Sequence, residues 1–536
     1  MNYDVIIVGG GIAGLTSAAF LSKDGYKVLV CEKEEKVGGL VNSFNYKGFT
    51  FDGGIRAIEN SGIVFPMLRQ LGLEIDFIKN NVSIGIENEI IQLTSKASLV
   101  DYQHLLNHQF PDNTDDIQKI INELKRVMTY MDVLYGIDNP LFLDLKKDRA
   151  YLLKTVIPWM FKYFVTIKKI VKLDTPVYEY LEHFSKNPAL IDMIGQHFFK
   201  NTPAFFALSY FSLYLDYQYP KGGTGAMIES MKTLLLDYKG EIRTQTEICK
   251  LNPQLKQIED LNKNKFNYKK LIWASDLKKL YTIMDLESIE DATVKQKVLD
   301  QKNAVSNKIG GDSIFTLYLT LDLDKSFLKN LFSAHLFYTP SKKGLLTINL
   351  NDLKAKLSES GDANYISDKE AIFKWLRKYY ELTTYEISCP VMRDANLAPK
   401  NQTGLIVSTL LDYSLVKHIF NMGWYEEFKR FSQECIITVL DATLLKGFKN
   451  KIIDQFSSTP LTLEKKTGNS QGAITGWAFT NAIIPVVSSL PDVGKSIDTP
   501  HPDIFQAGQW SFSPSGLPIS VLTGKLAADA VKKQLK

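Results

Sequence analysis

The chain has 536 residues, of which 45% are hydrophobic and 23% charged, and carries a formal net charge of +4. That length exceeds one ordinary core and predicts two domains, the composition is that of a globular protein, and so small a charge gives no case for nucleic acid as a partner. Cys31, Cys249, Cys389 and Cys435 form no C-x-x-C and the seven histidines show no metal-ligand spacing, so no metal site is expected and a reducing, cytoplasmic compartment fits.

Tyr3–Val8 (YDVIIV) reads as a buried strand, and Gly9-Gly10-Gly11-Ile12-Ala13-Gly14 follows it at once as G-x-G-x-x-G. A helix of small residues from Ile12 to about Lys23 and a second strand, Lys27–Cys31, ending at Glu32, complete the unit. Gly9 makes the turn, Gly11 lets a pyrophosphate approach the backbone, and Gly14 lets helix and strand pack closely. The helix N-terminus at Ile12 and Ala13 offers free N–H groups and a positive dipole end to phosphates. Glu32, with Lys33 beside it, stands where a carboxylate accepts bonds from ribose hydroxyls. Strand, helix, strand and acid in this order predict a dinucleotide site.

The fingerprint alone leaves FAD and NAD both open, and three further features favour FAD. Gly38-Gly39, followed by Leu40, allows a second approach of backbone to pyrophosphate. Phe51-Asp52-Gly53-Gly54 follows an apolar stretch, as a strand entering a cofactor-facing loop would; Arg56, two residues on, is the candidate catalytic residue, in contact with the flavin, a pyrophosphate or a polar substrate end, or else a surface ion-pair arginine. The C-terminal stretch returns to the same kind of site. A short strand at Asp503–Gln506 leads through Ala507-Gly508-Gln509-Trp510 and Gly516-Leu517-Pro518 into a helix from Ile519 to about Gln534.

Between these pieces, residues 151–173 come closest to a membrane segment, but Lys154, Lys162, Lys168 and Lys169 interrupt the run and Pro158 should bend it. Its aromatics and lysines suit a helix lying in a membrane surface, so peripheral membrane contact is expected there, and neither a signal peptide nor a spanning helix is. Pro203–Tyr217 (PAFFALSYFSLYLDY) is either aromatic core packing or the wall of a channel for a long apolar molecule. Gly222-Gly223-Thr224-Gly225 follows Tyr-Pro, not a buried strand, so no second dinucleotide loop or NAD domain is expected, and the electron acceptor or donor stays open. A helix over Ala226–Leu236 and strands at Glu241–Arg243, Glu247–Leu251 and Lys270–Trp273 follow, placing Ile248 and Ala274 with the cofactor. Strands are expected at Ser313–Leu321 and Gly404–Leu410, and polar linkers at 252–268 and 357–368. His197 in its apolar context and Asp394 in its turn read more readily as structural than catalytic. No nucleophile–base pair is evident, which fits chemistry carried by a cofactor.

Several segments together resemble the phytoene desaturase family of flavoproteins, most of all its carotenoid-isomerase and retinol-saturase branch. They are Tyr219-Pro220-Lys221-Gly222-Gly223-Thr224-Gly225, Ala274-Ser275-Asp276, Cys389-Pro390 with Arg393-Asp394 and Ala398-Pro399, Gly472-Ala473-Ile474-Thr475-Gly476-Trp477, and Ala507-Gly508-Gln509-Trp510 with Gly516-Leu517-Pro518. The matches run in family order along nearly the whole chain, and the chain departs at Ser515, where the family usually has glycine. The resemblance implies an α/β fold, with a discontinuous Rossmann-type FAD-binding domain (1–75, 220–285 and 470–536) and an α+β substrate domain of mixed sheet plus helices (76–219 and 286–469). It implies a hydrophobic carotenoid- or retinoid-like substrate undergoing desaturation, saturation or cis-trans isomerisation. An amine-oxidase-like or fatty-acid-isomerase-like flavoenzyme, and a non-catalytic lipid- or prenyl-binding protein on the same fold, stay open as alternatives.

Overall fold

The computed structural model describes residues 2–143, 147–354 and 365–536. Most of the expected linker at 357–368 lies outside the described residues.

A first sheet forms around the strand Asn2–Val8, whose inner residues Val5, Ile6 and Ile7 are fully buried. Its neighbours, all parallel, are Val28–Cys31 on one side and Lys265–Trp273 on the other; Glu241–Arg243 and Ile504–Gln506 extend the two flanks. Strands buried on both faces read as continuous apolar runs, which is why these segments were legible. The helices Ile12–Lys23 and Leu517–Leu535 pack on one face. Ser17 Oγ donates to Gly524 O at 2.8 Å, and a Cβ on Gly524 would stand 2.5 Å from Ala13 O, so only glycine admits this approach.

The expected linker at 252–268 is corrected. Ile248–Asn252, Gln257–Asp260 and Lys265–Trp273 form an antiparallel meander on the edge of this sheet. Its lysines and asparagines are those of a half-exposed edge, where polar residues alternate with buried Ile258, Phe266 and Tyr268.

A second, mixed sheet runs in the order Ile452–Ser458, Ser313–Leu321, Thr403–Leu411, Tyr385–Ser388, His335–Thr339, Val82–Ile86, Glu89–Leu93. The first intervening piece, 76–219, is mostly helical as expected, but it also supplies these last two strands. Within 151–173 a π-helical turn, Leu152–Val156, runs directly into the helix Ile157–Ile170, and Pro158 stands just after that turn, where an irregular ladder accommodates a residue without an N–H.

Several family-like segments prove to be fastenings between these parts. Asp52, fully buried, accepts from Ser43 Oγ (2.8 Å), Tyr219 Oη (2.7 Å), Thr224 N (2.9 Å) and Thr224 Oγ1 (3.0 Å). Arg393 lies over the Tyr219 ring at 4.4 Å and donates to Asn80, Ser388 and Ala334. Asp394 accepts from Gly222 N at 3.0 Å and from Asn396 N, a structural role. Trp477 Nε1 donates to Trp510 O and Trp510 Nε1 to Asn469 Oδ1, both at 3.0 Å, locking the segment around Trp477 to the C-terminal return.

Candidate functional site

One continuous cavity of about 1710 Å³ runs from the first sheet to the second. It exceeds the roughly 300–1,000 Å³ of a drug-sized ligand site, which leaves room for a large cofactor and a long substrate together.

At the first sheet it is built on two helix N-termini from distant parts of the chain. The helix Ile12–Lys23 starts at Gly11 and the helix Leu517–Leu535 at Gly516; no side chain caps either one, and both starts line the cavity. Uncapped N-termini leave amide N–H groups for an external acceptor. Gly9 has φ +108°, and a Cβ there would stand 2.5 Å from Ala274 O; a Cβ on Gly14 would stand 2.0 Å from Gly9 O. Around Gly11, by contrast, nothing lies within 4 Å of where a Cβ would point. That open cradle in front of a free helix end fits a pyrophosphate.

Of the expected cofactor residues, Gly9, Gly11, Ile12, Ala13, Glu32, Lys33, Gly38, Gly39, Leu40, Ile248, Ala274, Gly508, Gln509, Gly516, Leu517 and Pro518 all line this cavity. Gly14 stands behind it in the helix–turn contact. Glu32 accepts from Gly10 N at 2.8 Å through Oε2 and from Glu34 N at 2.9 Å through Oε1, so it braces the loop and still has lone pairs for a ribose. Burial raises its carboxyl above the ordinary value. The Gly38 amide donates to Gly10 O at 2.8 Å, so any second approach to phosphate falls to Gly39 and Leu40. Ser515 has no left-handed backbone, so the departure from glycine costs no strain.

Towards the second sheet the walls become aromatic. Along the helix Ala204–Asp216 and just past it, Phe206, Tyr210, Tyr214 and Tyr217 follow one another with ring centroids 5.4 to 5.6 Å apart, all lining the cavity. The segment Pro203–Tyr217 thus does both things left open for it: these rings line the cavity, while Leu208 and Phe211 pack in the core. His197 also lines the cavity, and its Nε2 stands 3.2 Å from Tyr214 Oη; burial lowers its pKa to about 4, so it is neutral near pH 7. Arg56, 4% exposed, reaches the second sheet: Nη2 donates to Ser408 Oγ at 2.7 Å and Nη1 to Gly54 O.

Sequence reading missed two acidic groups here. Glu386 stands opposite Phe337 and Ser408 in the second sheet and lines the cavity, with His335 Nε2 3.1 Å from Oε1. Burial alone would raise its carboxyl, but His335, Arg56 and Arg393 together hold it down at about 2. Glu59, also lining the cavity, is pushed up to about 7 by burial, with the Asp216 carboxylate adding to the effect.

An acid whose folded pKa is raised weakens the fold as pH climbs from the ordinary 4.5 to about 7, and the whole penalty is present above that. Asp216, Tyr135, Tyr210 and Tyr217 are the titratable groups coupled to it. Glu59→Gln is therefore expected to stabilise the protein by about 2–3 kcal/mol at pH 8 and by little at pH 4.5. Urea midpoints of both proteins at the two pH values check this; an equal difference at both would show that Glu59 is not the titrating group.

Residues 151–173 lie at the cavity's outer end. Ile167, Ile170, Val171 and Leu173 line it, and Val171 is also 68% exposed, so the cavity reaches the surface at this point. Phe161 (73% exposed), Phe164 and Val165 project beside it. No helix among the described residues is long and apolar enough to cross a membrane.

Comparison with known proteins agrees with this layout. Residues 7–71 match the NAD(P)-binding Rossmann-like domain family. The chain is 23% identical to a 1-hydroxycarotenoid 3,4-desaturase of Flavobacterium sp. (strain P99-3), over 98% of both chains. It is 20% identical to a 4,4'-diapophytoene desaturase (4,4'-diaponeurosporene-forming) of Staphylococcus aureus, over 99% of both. Among solved structures, an oxidoreductase from Methanosarcina mazei superposes with a TM-score of 0.61 at 14% identity, covering 99% of this chain and 100% of that one. A putrescine oxidase redesigned in its cofactor binding superposes with a TM-score of 0.59 at 12% identity, covering 100% and 99%. These structures share the α/β fold.

Proposed function

We propose that this phytoene desaturase-like oxidoreductase binds FAD and acts on carbon–carbon bonds of a long apolar, polyunsaturated substrate of carotenoid or retinoid type. The observation that carries the reading is the continuity of the cavity, from the open cradle at Gly11 along the aromatic ladder to the exposed apolar helix. Residues 1–75, 220–285 and 470–536 hold the cofactor in this reading, and 76–219 and 286–469 the substrate.

Bound FAD supplies two-electron chemistry at carbon, which serves desaturation, saturation or isomerisation alike. The chain's own residues do the rest. The N-terminus of the Ile12–Lys23 helix and Glu32 hold the dinucleotide. The dipole of the Leu517–Leu535 helix favours negative charge at its start, by Gly516. Phe206, Tyr210, Tyr214 and Tyr217 exclude water and align an extended chain. Arg56 anchors the Gly54 loop to the second sheet.

The amine-oxidase-like alternative draws support from the tyrosine ladder, which resembles an aromatic cage. Against it, the Glu386 carboxylate already has cationic partners in Arg56 and Arg393. A free fatty-acid carboxylate would meet Glu386 as a like charge.

The decisive test is the absorbance spectrum of detergent-free protein, followed by identification of the flavin released on denaturation. Flavin bands and released FAD are expected, with retention of an added polyene. A colourless protein that also refuses added FAD would overturn the reading in favour of a lipid-binding protein.

The exposed Phe161, Phe164 and Val165, with Lys154, Lys162 and Lys168 beside them, fit an anionic lipid surface from which an apolar substrate enters at Val171. Replacing Phe161 and Phe164 together by serine is expected to weaken cosedimentation with phosphatidylglycerol vesicles by at least about tenfold, while stability changes by less than about 0.5 kcal/mol per site. Unchanged cosedimentation would remove this helix from the membrane contact.

A further inference from the structure

The second sheet carries a row of polar and charged side chains across the cavity wall. By register, Phe337, Glu386, Ser408 and Thr316 stand side by side on four strands. His335 lies two residues before Phe337, on the same face. Arg56 covers the far end of the row, with Nη2 2.7 Å from Ser408 Oγ and 3.5 Å from Thr316 Oγ1.

These groups do not satisfy one another. His335 is 1% exposed, yet Nδ1 has no hydrogen-bond partner, and Nε2 meets Glu386 at ion-pair distance without hydrogen-bond alignment. Arg56 Nε is buried without a partner as well. Glu386 lies deep in the protein, but 31% of its side chain is open to the cavity. Buried polar atoms are almost always paired, so unpartnered ones gathered on a cavity wall mark a place where a ligand supplies the partner. A pure hydrocarbon would cover this row and give nothing back.

Charge selects the ligand group. Arg56 and Arg393 face Glu386, and Arg393 also faces Asp52, so two cations stand with two carboxylates. Burial lowers the His335 pKa, while the Glu386 carboxylate beside it works in the opposite direction. The cluster is electrically closed: an ammonium or a carboxylate head would enter it unpaired. A hydroxyl can donate to Glu386 and accept from a neighbouring N–H.

We propose that Glu386, His335 and Arg56 form a recognition site for a hydroxyl group on an otherwise apolar substrate chain, so that this protein selects an oxygenated polyene over the plain hydrocarbon. This inference rests on the reading of the cavity as the substrate site.

The test uses the flavin-loaded full chain and three probes on one polyene skeleton: all-trans-retinol, axerophthene (the same polyene ending in methyl) and retinylamine. Ligand retained at equilibrium is quantified by chromatography. Wild-type protein is expected to bind retinol at least about tenfold more tightly than axerophthene, as a site built to hydrogen-bond a hydroxyl does. Glu386→Leu should bring the two within about twofold without weakening axerophthene, and Glu386→Gln, which keeps the shape, should still lower the preference by at least about threefold. Wild-type protein that binds axerophthene and retinol equally would overturn this inference and leave the apolar-cavity reading standing. Retinylamine binding more tightly than retinol would overturn it in favour of a cationic head. Binding of none of the probes would overturn the apolar-cavity reading and this inference with it.

Discussion

Gly11→Val is expected to yield a folded protein without flavin. The Gly11 backbone, φ −72° and ψ 179°, is one that valine adopts readily, and no protein atom lies within 4 Å of the new Cβ. The fold therefore has no reason to object. The added methyls would fill the cradle in front of the free helix end, where a pyrophosphate must lie against the backbone. An affinity loss of at least about 100-fold, at 1.4 kcal/mol per tenfold, is expected, with the urea midpoint of the flavin-free protein nearly unchanged. Equilibrium dialysis against FAD reads the first quantity and denaturation the second. Normal flavin content in a folded variant would show that the dinucleotide lies elsewhere. The contrast is Gly14, where a Cβ would sit 2.0 Å from Gly9 O and the fold itself would suffer.

Asp52→Ala should act on the fold instead. The substitution removes the acceptor for the Tyr219 hydroxyl, the Thr224 amide and hydroxyl, and the Ser43 hydroxyl, all of them close to or beneath the protein surface. A buried donor left without an acceptor costs about 1–3 kcal/mol, so a loss of about 3–5 kcal/mol is expected, enough to threaten the folded state at moderate temperature. Urea denaturation measures it, and a loss under about 1 kcal/mol would mean that water or repacking replaces the carboxylate. Asp52→Asn should recover part of the stability, because the amide oxygen still accepts.

What was legible in the sequence was what local pattern and glycine geometry encode. The strand, turn and helix at 2–23, the strand Ser313–Leu321 and the C-terminal return were readable because buried strands are apolar throughout and helix starts carry their own signals. The family resemblance read from the motifs is matched by carotenoid desaturases aligned along almost the whole chain. The edge meander was missed because its exposed half has the composition of a linker. Glu386 and His335 were missed for a different reason: they come from separate strands and meet only across the sheet. A faint signal existed in Tyr385-Glu386-Ile387, where alternation sends Tyr385 and Ile387 into a core in which both are 0% exposed. Glu386 then faces the other side, and only the fold makes that side a cavity and not solvent. Glu59 was hidden likewise, since nothing in Ile58-Glu59-Asn60 announces that its side chain lines a cavity.

The pairing of Ser17 with Gly524 joins residues 507 positions apart. At a synthesis rate of about 5–20 residues per second, roughly 25–100 s pass between the appearance of the first helix and that of its partner. Throughout that interval the small-residue face of the Ile12–Lys23 helix lacks its cover, and the strand Ile504–Gln506 is missing from the parallel sheet. The cavity at the first sheet thus closes only after translation has passed the start of the Leu517–Leu535 helix. A ribosome-bound chain halted before residue 504 would have the glycine loop and yet no second helix end to complete the cavity. In the proposed reading, cofactor loading then waits until this segment has been made and has folded, and flavin supply acts on chains that have passed that point.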